Sequence, residues 1–270
     1  MKDIQLESAI RTVVKASVDS YASGFSDRHI AEHEDPNGTI NMKIHNVFIS
    51  ILGEEIQYYT ALVRSLDSSL GNMLEKMAIH IAELQYEVTQ SVEGHITNQQ
   101  VSEIAKILEE YRRRERIPSV DDYKILTEMN NPSDKILKRH DSDYYLFDKE
   151  RDKRYLIELK IGGDLDNKKA RSEKEALLEQ YCILSNSLPD EDIQLKFATA
   201  YNRFGEDKEW KQERVRQFFA KEELLIGKDF WNLICMSEDG YKIVLEEYSR
   251  NAPKIREALD KIKATYLKNE

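Results

Sequence analysis

The chain has little of what would commit it to an oxidising compartment or a membrane. Only two of its 270 residues are cysteine, Cys182 and Cys235, far apart and without CxxC spacing. That excludes a disulfide framework and a thiolate zinc site, and both read as small core residues. The longest apolar stretches, such as "NVFISIL" (46–52), fall far short of the roughly 20 residues of a membrane span. The N-terminus lacks the apolar core of a signal peptide, so a cytoplasmic protein is expected. The six histidines form no Cys/His zinc pattern, and "IHN" (44–46) lacks the rest of an HNH site. No GxxxxGK[ST] loop is present, so no nucleotide cofactor is expected. Repeats, low-complexity tracts and Gly/Ser linkers are missing too, and residues 1–270 read as a single domain.

What is present is charge, and it is unevenly spread. A formal net charge of −10 weighs against a polyphosphate partner. Yet residues 151–174 hold eight basic side chains against five acidic, and residues 203–221 hold six against four. The rest of the chain therefore carries −15. An acidic body with a basic cleft is compatible with DNA; a solvated helix face would give similar counts.

Periodicity divides the chain into a mainly helical region (1–117), a core (140–235) and a C-terminal helix (236–270). Ile4, Leu6, Ile10, Val13, Val14 and Val18 make one helical stripe. "EDPNGT" (34–39) marks a loop, and a helix is expected across 43–66. After a break at "DSSLGN", a second is expected over 73–88, and a third over 98–117 ahead of Pro118. At about 140 the character changes. "DSDYYLFD" and "RYLIELKI", separated by charged residues, read as a β-hairpin. A helix (167–188), a strand (193–201) and a basic amphipathic helix (209–219) follow. This alternation predicts an α/β fold, a mixed central β-sheet flanked by helices.

In "YLIELKIGGDLDNKK" (155–169), strand alternation sends Glu158 and Lys160 to one face. If the turn is the four residues 149–152, then 148 pairs with 153 and Asp143 lies opposite Glu158, sharing its face. Two adjacent carboxylates repel unless a proton or a cation intervenes, and hard oxygen donors suit Mg2+. The lysine could orient an attacking water or stabilise charge on a phosphoryl oxygen. An acid followed two residues later by lysine occurs five times here, so the tripeptide alone carries nothing. A cross-strand salt bridge explains the pattern as well. Asp141 is the alternative upstream carboxylate if the strand bulges.

An aspartate, a hairpin and an apolar "ELK" strand resemble the PD-(D/E)XK nuclease superfamily, although the leading proline is missing. Three stretches, "DSDYYLFDKERDKRYLIELKIGGDLDNKKARSEKEALLEQY" (141–181), "ATAYNRFGEDKEWKQERVRQFFAKEELLIGKDFWNLIC" (198–235) and "RSLDSSLGNMLEKMA" (64–78), resemble the TdeIII family of Type II restriction endonucleases. The likeness covers about residues 40–240. It implies a PD-(D/E)XK nuclease-like core and Mg2+-dependent hydrolysis of double-stranded DNA by a homodimer, at a short GC-rich palindrome of the GGNCC kind. It also implies Asp143, Glu158 and the Leu159 carbonyl as metal ligands, Lys160 as the catalytic lysine, and Glu75 as a glutamate of the first core helix. An exposed acid on an amphipathic helix is the other reading of Glu75.

For DNA contact the candidates follow the core strands: Lys168, Lys169 and Arg171 near a helix start, then Asn202, Arg203, Lys211, Gln212, Arg214 and Arg216. "RRRER" (112–116) reads first as a solvated helix end. A non-catalytic DNA-binding protein, or a repair or junction nuclease of the same fold, are the other functions compatible with the sequence.

Overall fold

A computed structural model describes residues 3–189 and 191–267. The chain divides into two compact units, residues 1–80 with 242–270 and residues 81–241. The sequence boundaries at 117 and 140 both run through the second.

The first unit is helical. α1 (Asp3–Ala31) is followed by a short 3-10 turn (Asn41–His45), the single turn α2 (Val47–Ser50) and the long α3 (Glu54–Ala82); α9 (Gly240–Tyr266) supplies the C-terminal helix. Val18 and Ala22 of α1 pack with Ile255 and Ala258 of α9, and Phe25, Tyr58, Leu62 and Ile262 form a second cluster. The helix expected across 43–66 is broken at Gly53, whose φ of +100° favours a residue without Cβ. Conversely, "DSSLGN" is no break and lies inside α3. Met73 and Met77 are buried beyond it, and that packing outweighs the ~1 kcal/mol that a mid-helix glycine costs. The chain's one His-x-x-x-His spacing makes no metal centre. His29 is buried with Nε2 3.0 Å from Ser65 Oγ, and the His33 ring packs edge-on against Tyr266 at 4.8 Å.

The second unit holds a five-stranded sheet in sequential order, β1 (Glu87–Thr97), β2 (Lys135–Asp148), β3 (Lys153–Leu159), β4 (Asp192–Thr199) and β5 (Leu224–Ile226). β1–β2 and β2–β3 are antiparallel; β3–β4 and β4–β5 are parallel. α4 (Asn98–Arg113) and α5 (Asp122–Thr127) lie between β1 and β2, and α6 (Asn167–Ser187) links β3 to β4. α7 (Glu213–Arg216) precedes β5, and α8 (Lys228–Ile234) follows it. The mixed sheet with flanking helices agrees with the α/β expectation. β1 was not foreseen and replaces the end of the helix expected to reach 88. Only Val92, Ile96 and Thr97 of its eleven residues are buried, which leaves little apolar alternation to read. The expected helix 209–219 shrinks to the single turn α7. Trp210, packed 6.2 Å from Phe197, pins the chain to the core before a helix can start.

α6 covers one face of the sheet, and its Leu177, Leu178, Cys182 and Ile183 join Leu156, Leu195 and Phe197 in the main core. Contact is close enough that a Cβ on Gly94 would lie 2.7 Å from an Ile183 methyl. Both cysteines are buried and free. Among the described residues no helix is long and apolar enough to cross a membrane.

Candidate active site

The β2–β3 turn has the length the sequence predicts. Asp148 pairs with Lys153, and the Asp148 carboxylate accepts the Glu150 and Arg151 amides at 3.1 Å, an Asx-type closure of the turn. The ladder runs from that pair to Tyr144–Ile157 and stops. On the other side of β2, two residues of β1 (Thr89 to Ser91) span four of β2 (Tyr145 to Asp141), a bulge at 142–144. Bulges of this kind re-aim a side chain. Here β2 leaves β3 at Asp143, and its carboxylate takes the place of a ladder acceptor, with Oδ2 2.9 Å from the Leu159 amide. Asp141 pairs with Ser91 of β1 and is exposed. The bulge therefore does not exchange the two aspartates.

Glu158 and Lys160 stand on the same side at the C-terminal end of β3. The Lys160 ammonium contacts Glu158 directly and lies 3.2 Å from Glu173, in the second turn of α6. Glu158 is nearly buried, and its pKa is raised by that burial and next by the Asp143 carboxylate, against the pull of Lys160. Asp143 is raised as well, first by burial, while the Leu159 amide and Lys160 oppose the rise. Burial disfavours the Lys160 ammonium, but Glu158, Glu173 and Asp143 outweigh it and hold its pKa above the ordinary lysine range. Lys160 is thus a fixed cation and not a proton acceptor.

Three carboxylates around one ammonium leave two negative charges, which a divalent cation would balance. The donors that face one another are hard oxygens, two carboxylates and, from the strand geometry, the Leu159 carbonyl. In an extended residue the carbonyl projects to the same side as its N–H, here toward Asp143. Among the described residues no group of three or more His, Cys, Asp or Glu side chains is arranged to hold a metal. An ion at this place would keep several waters, which is the habit of Mg2+. Glu173 was missed from the sequence, yet a signal existed. It follows Ala170 by three positions and precedes Leu177 by four, so a charged residue sits on the buried stripe of α6. Glu75 is half-buried on α3, in the first unit. The cluster described here is built from the second unit alone.

The candidate DNA-contacting residues fall into groups. Lys168 and Lys169 are exposed in the first turn of α6, where Asp166 caps the Lys169 amide at 2.8 Å. Arg171 is half-buried beside Glu175 at 3.7 Å. Arg203 and Gln212 converge on one carboxylate, Asp164, at 2.8 and 2.9 Å. Lys211 and Arg214 are exposed, and Arg216 lies within 3.5 Å of Glu209 and Glu213. Asn202 differs from the rest. It is buried, donates to the Lys208 carbonyl at 2.7 Å and accepts the Phe204 amide at 3.0 Å, so it braces its own loop. In "RRRER", Arg112 and Arg113 pair with Glu109, and Arg116 bridges Glu110 and Asp122.

A family model described as Type II restriction endonuclease, HinfI, matches residues 3–251. The chain belongs to this family. The match falls on HinfI, where the sequence resembles TdeIII; what the two have in common is the Type II restriction endonuclease class, and the match supports that class. No curated protein matches the chain. The matched span of the HinfI family takes in the β2–β3 fork, α6 and both basic stretches.

Proposed function

We propose that the chain is a Mg2+-dependent, sequence-specific endonuclease with a PD-(D/E)XK centre. It hydrolyses one phosphodiester in each strand of double-stranded DNA at a short palindrome, as a homodimer. The observation that carries this reading is the convergence of Asp143, Glu158 and Lys160 where β2 parts from β3. HinfI family membership supports the substrate class. So does the element order, a helix, the antiparallel β1–β2–β3 meander, α6 and then the parallel β4. The GGNCC kind of site is carried only as far as a short two-fold symmetric sequence.

Asp143, Glu158 and the Leu159 carbonyl would hold the ion. When bound, Mg2+ supplies Lewis-acid polarisation of the scissile phosphate and eases ionisation of water. The Leu159 amide fixes one oxygen of Asp143, so the carboxylate is oriented before any substrate arrives. Lys160, held charged, donates to the attacking water or to a phosphoryl oxygen and stabilises the charge that develops there. Glu173 keeps Lys160 in place once Glu158 turns to the ion. Lys168 and Lys169 reach phosphates; Arg203 and Gln212, already side by side on Asp164, offer donors to guanine and adenine edges. Arg171, Lys211, Arg214 and Arg216 contribute positive charge along the same stretches, and Asn202 supports the loop that presents Arg203.

The deciding experiment is incubation of the protein with a sequenced plasmid, with Mg2+ and with EDTA, beside a Glu158→Ala variant. Discrete bands that require Mg2+ and Glu158 are expected. Retention on DNA without cleavage would favour a binding protein, and cutting confined to branched substrates a junction nuclease. Replacing Glu173 with glutamine should lower single-turnover cleavage about 10²-fold, the scale of a misplaced catalytic group. DNA affinity measured in Ca2+ should stay unchanged. Glu173→Asp should recover part of the rate if the carboxylate positions Lys160.

A further inference from the structure

Residues 42–56 leave an apolar surface open that the first unit does not use. Met42, Ile44, Val47, Phe48, Ile51, Leu52 and Ile56 are all exposed, Phe48 at 81% and Ile51 at 82%. Neither the 3-10 turn nor α2 contains a single buried residue. At its two ends the segment is tied down, because Ile40 and Tyr58 are both buried in the same core cluster. The chain is thus anchored on either side of a stretch whose apolar side chains point outward. Together they present several hundred Å² of apolar surface, more than a monomer usually leaves in one patch and near the ~800 Å² that each partner of a standard interface buries.

Charge says what covers it. Lys43 and His45 stand at one end of the segment, Glu54 and Glu55 at the other. Two copies related by a two-fold axis and laid antiparallel place the basic end of each against the acidic end of its partner, with the apolar middle between them. That is a self-complementary, isologous arrangement. We propose that residues 42–56 are the surface through which a second copy of this chain docks. The inference deepens the homodimer of the reading above and rests on it for its biological purpose, two centres on a two-fold substrate; its test needs no DNA.

Sedimentation velocity on the full chain, from nanomolar to high micromolar, should give a dimer for the wild type. Phe48→Asp and Ile51→Asp should each weaken dimerisation at least about tenfold, as loss of a central anchor does. Both positions are so exposed that circular dichroism and Tm should be unchanged. A chain carrying Lys43→Glu and His45→Glu should pair with one carrying Glu54→Lys and Glu55→Lys better than either pairs with itself. A wild type that stays monomeric overturns the proposal, whatever else meets the patch. So do aspartate variants as dimeric as the wild type, and so does a failure of the charge-swapped chains to pair. If such a monomer still cuts DNA with Mg2+, the docking surface falls and the nuclease reading stands.

Discussion

Replacing Lys160 with alanine lowers single-turnover cleavage of duplex DNA by about 10²–10³-fold, the usual effect of removing one preorganised donor to a developing anion. The variant should keep its far-UV circular dichroism, because Lys160 follows the last residue of β3 and its own amide bond to Ala198 is unaffected. The argument for so large an effect is electrostatic. Three carboxylates hold the ammonium in its charged form, and burial makes each of those interactions stronger than it would be in water. Lys160→Arg retains the charge but spreads it over a planar fork that does not fit the space between Glu158 and Glu173. It should recover only a small part of the rate. A Lys160→Ala enzyme that cuts within threefold of the wild type would remove this residue from the mechanism. Quenched-flow or gel assays at saturating enzyme read the difference directly.

The second large effect concerns stability. Lys174 and Glu223 are both almost fully buried and in direct contact, and the Tyr123 hydroxyl lies 3.0 Å from the Lys174 ammonium. Burial drives Lys174 well below the ordinary lysine range and Glu223 above the ordinary carboxylate range, so each group alone would shed its charge. Only their contact compensates them. Glu223→Ala leaves the lysine without its carboxylate and is expected to cost about 3–5 kcal/mol. It also frees the Ala220 amide that Glu223 accepts at 2.6 Å. A fall in Tm of the order of 10 °C should accompany it. The paired change Lys174→Met with Glu223→Leu should restore most of that loss, since an apolar pair of similar volume avoids the desolvation of both ions. Urea unfolding of the single and double variants measures the coupling. If the double variant is no more stable than Glu223→Ala, the pair is not the reason for the loss. Lys174 adjoins Glu173 on α6, so the buried pair also helps fix the turn of the helix that faces Lys160.

Much of the site was legible because strands and tight turns obey local rules. The alternation in "RYLIELKI" placed Glu158 and Lys160 on one face, and a four-residue turn fixed the pairing of 148 with 153, as observed. The helix expected over 167–188 is α6, within one residue. The errors share a cause, which is that local pattern is silent on packing. "DSSLGN" looked like a break but is helix, and β1 looked like the tail of a helix but is an edge strand. "EWKQERVRQFF" had helical spacing, yet its aromatic residues were claimed by the core.

By itself the sequence determined the hairpin, the face shared by an acid and a lysine, the charge polarity along the chain and the mixed α/β class. Each of these follows from side-chain spacing within one or two neighbouring segments. Only the tertiary structure decided that a bulge opens β2 at Asp143, that Glu173 reaches Lys160 from α6, that Arg203 and Gln212 meet on Asp164, and that residues 42–56 stay uncovered. Those features join residues distant along the chain, or depend on what fails to pack against a segment. No local period encodes either.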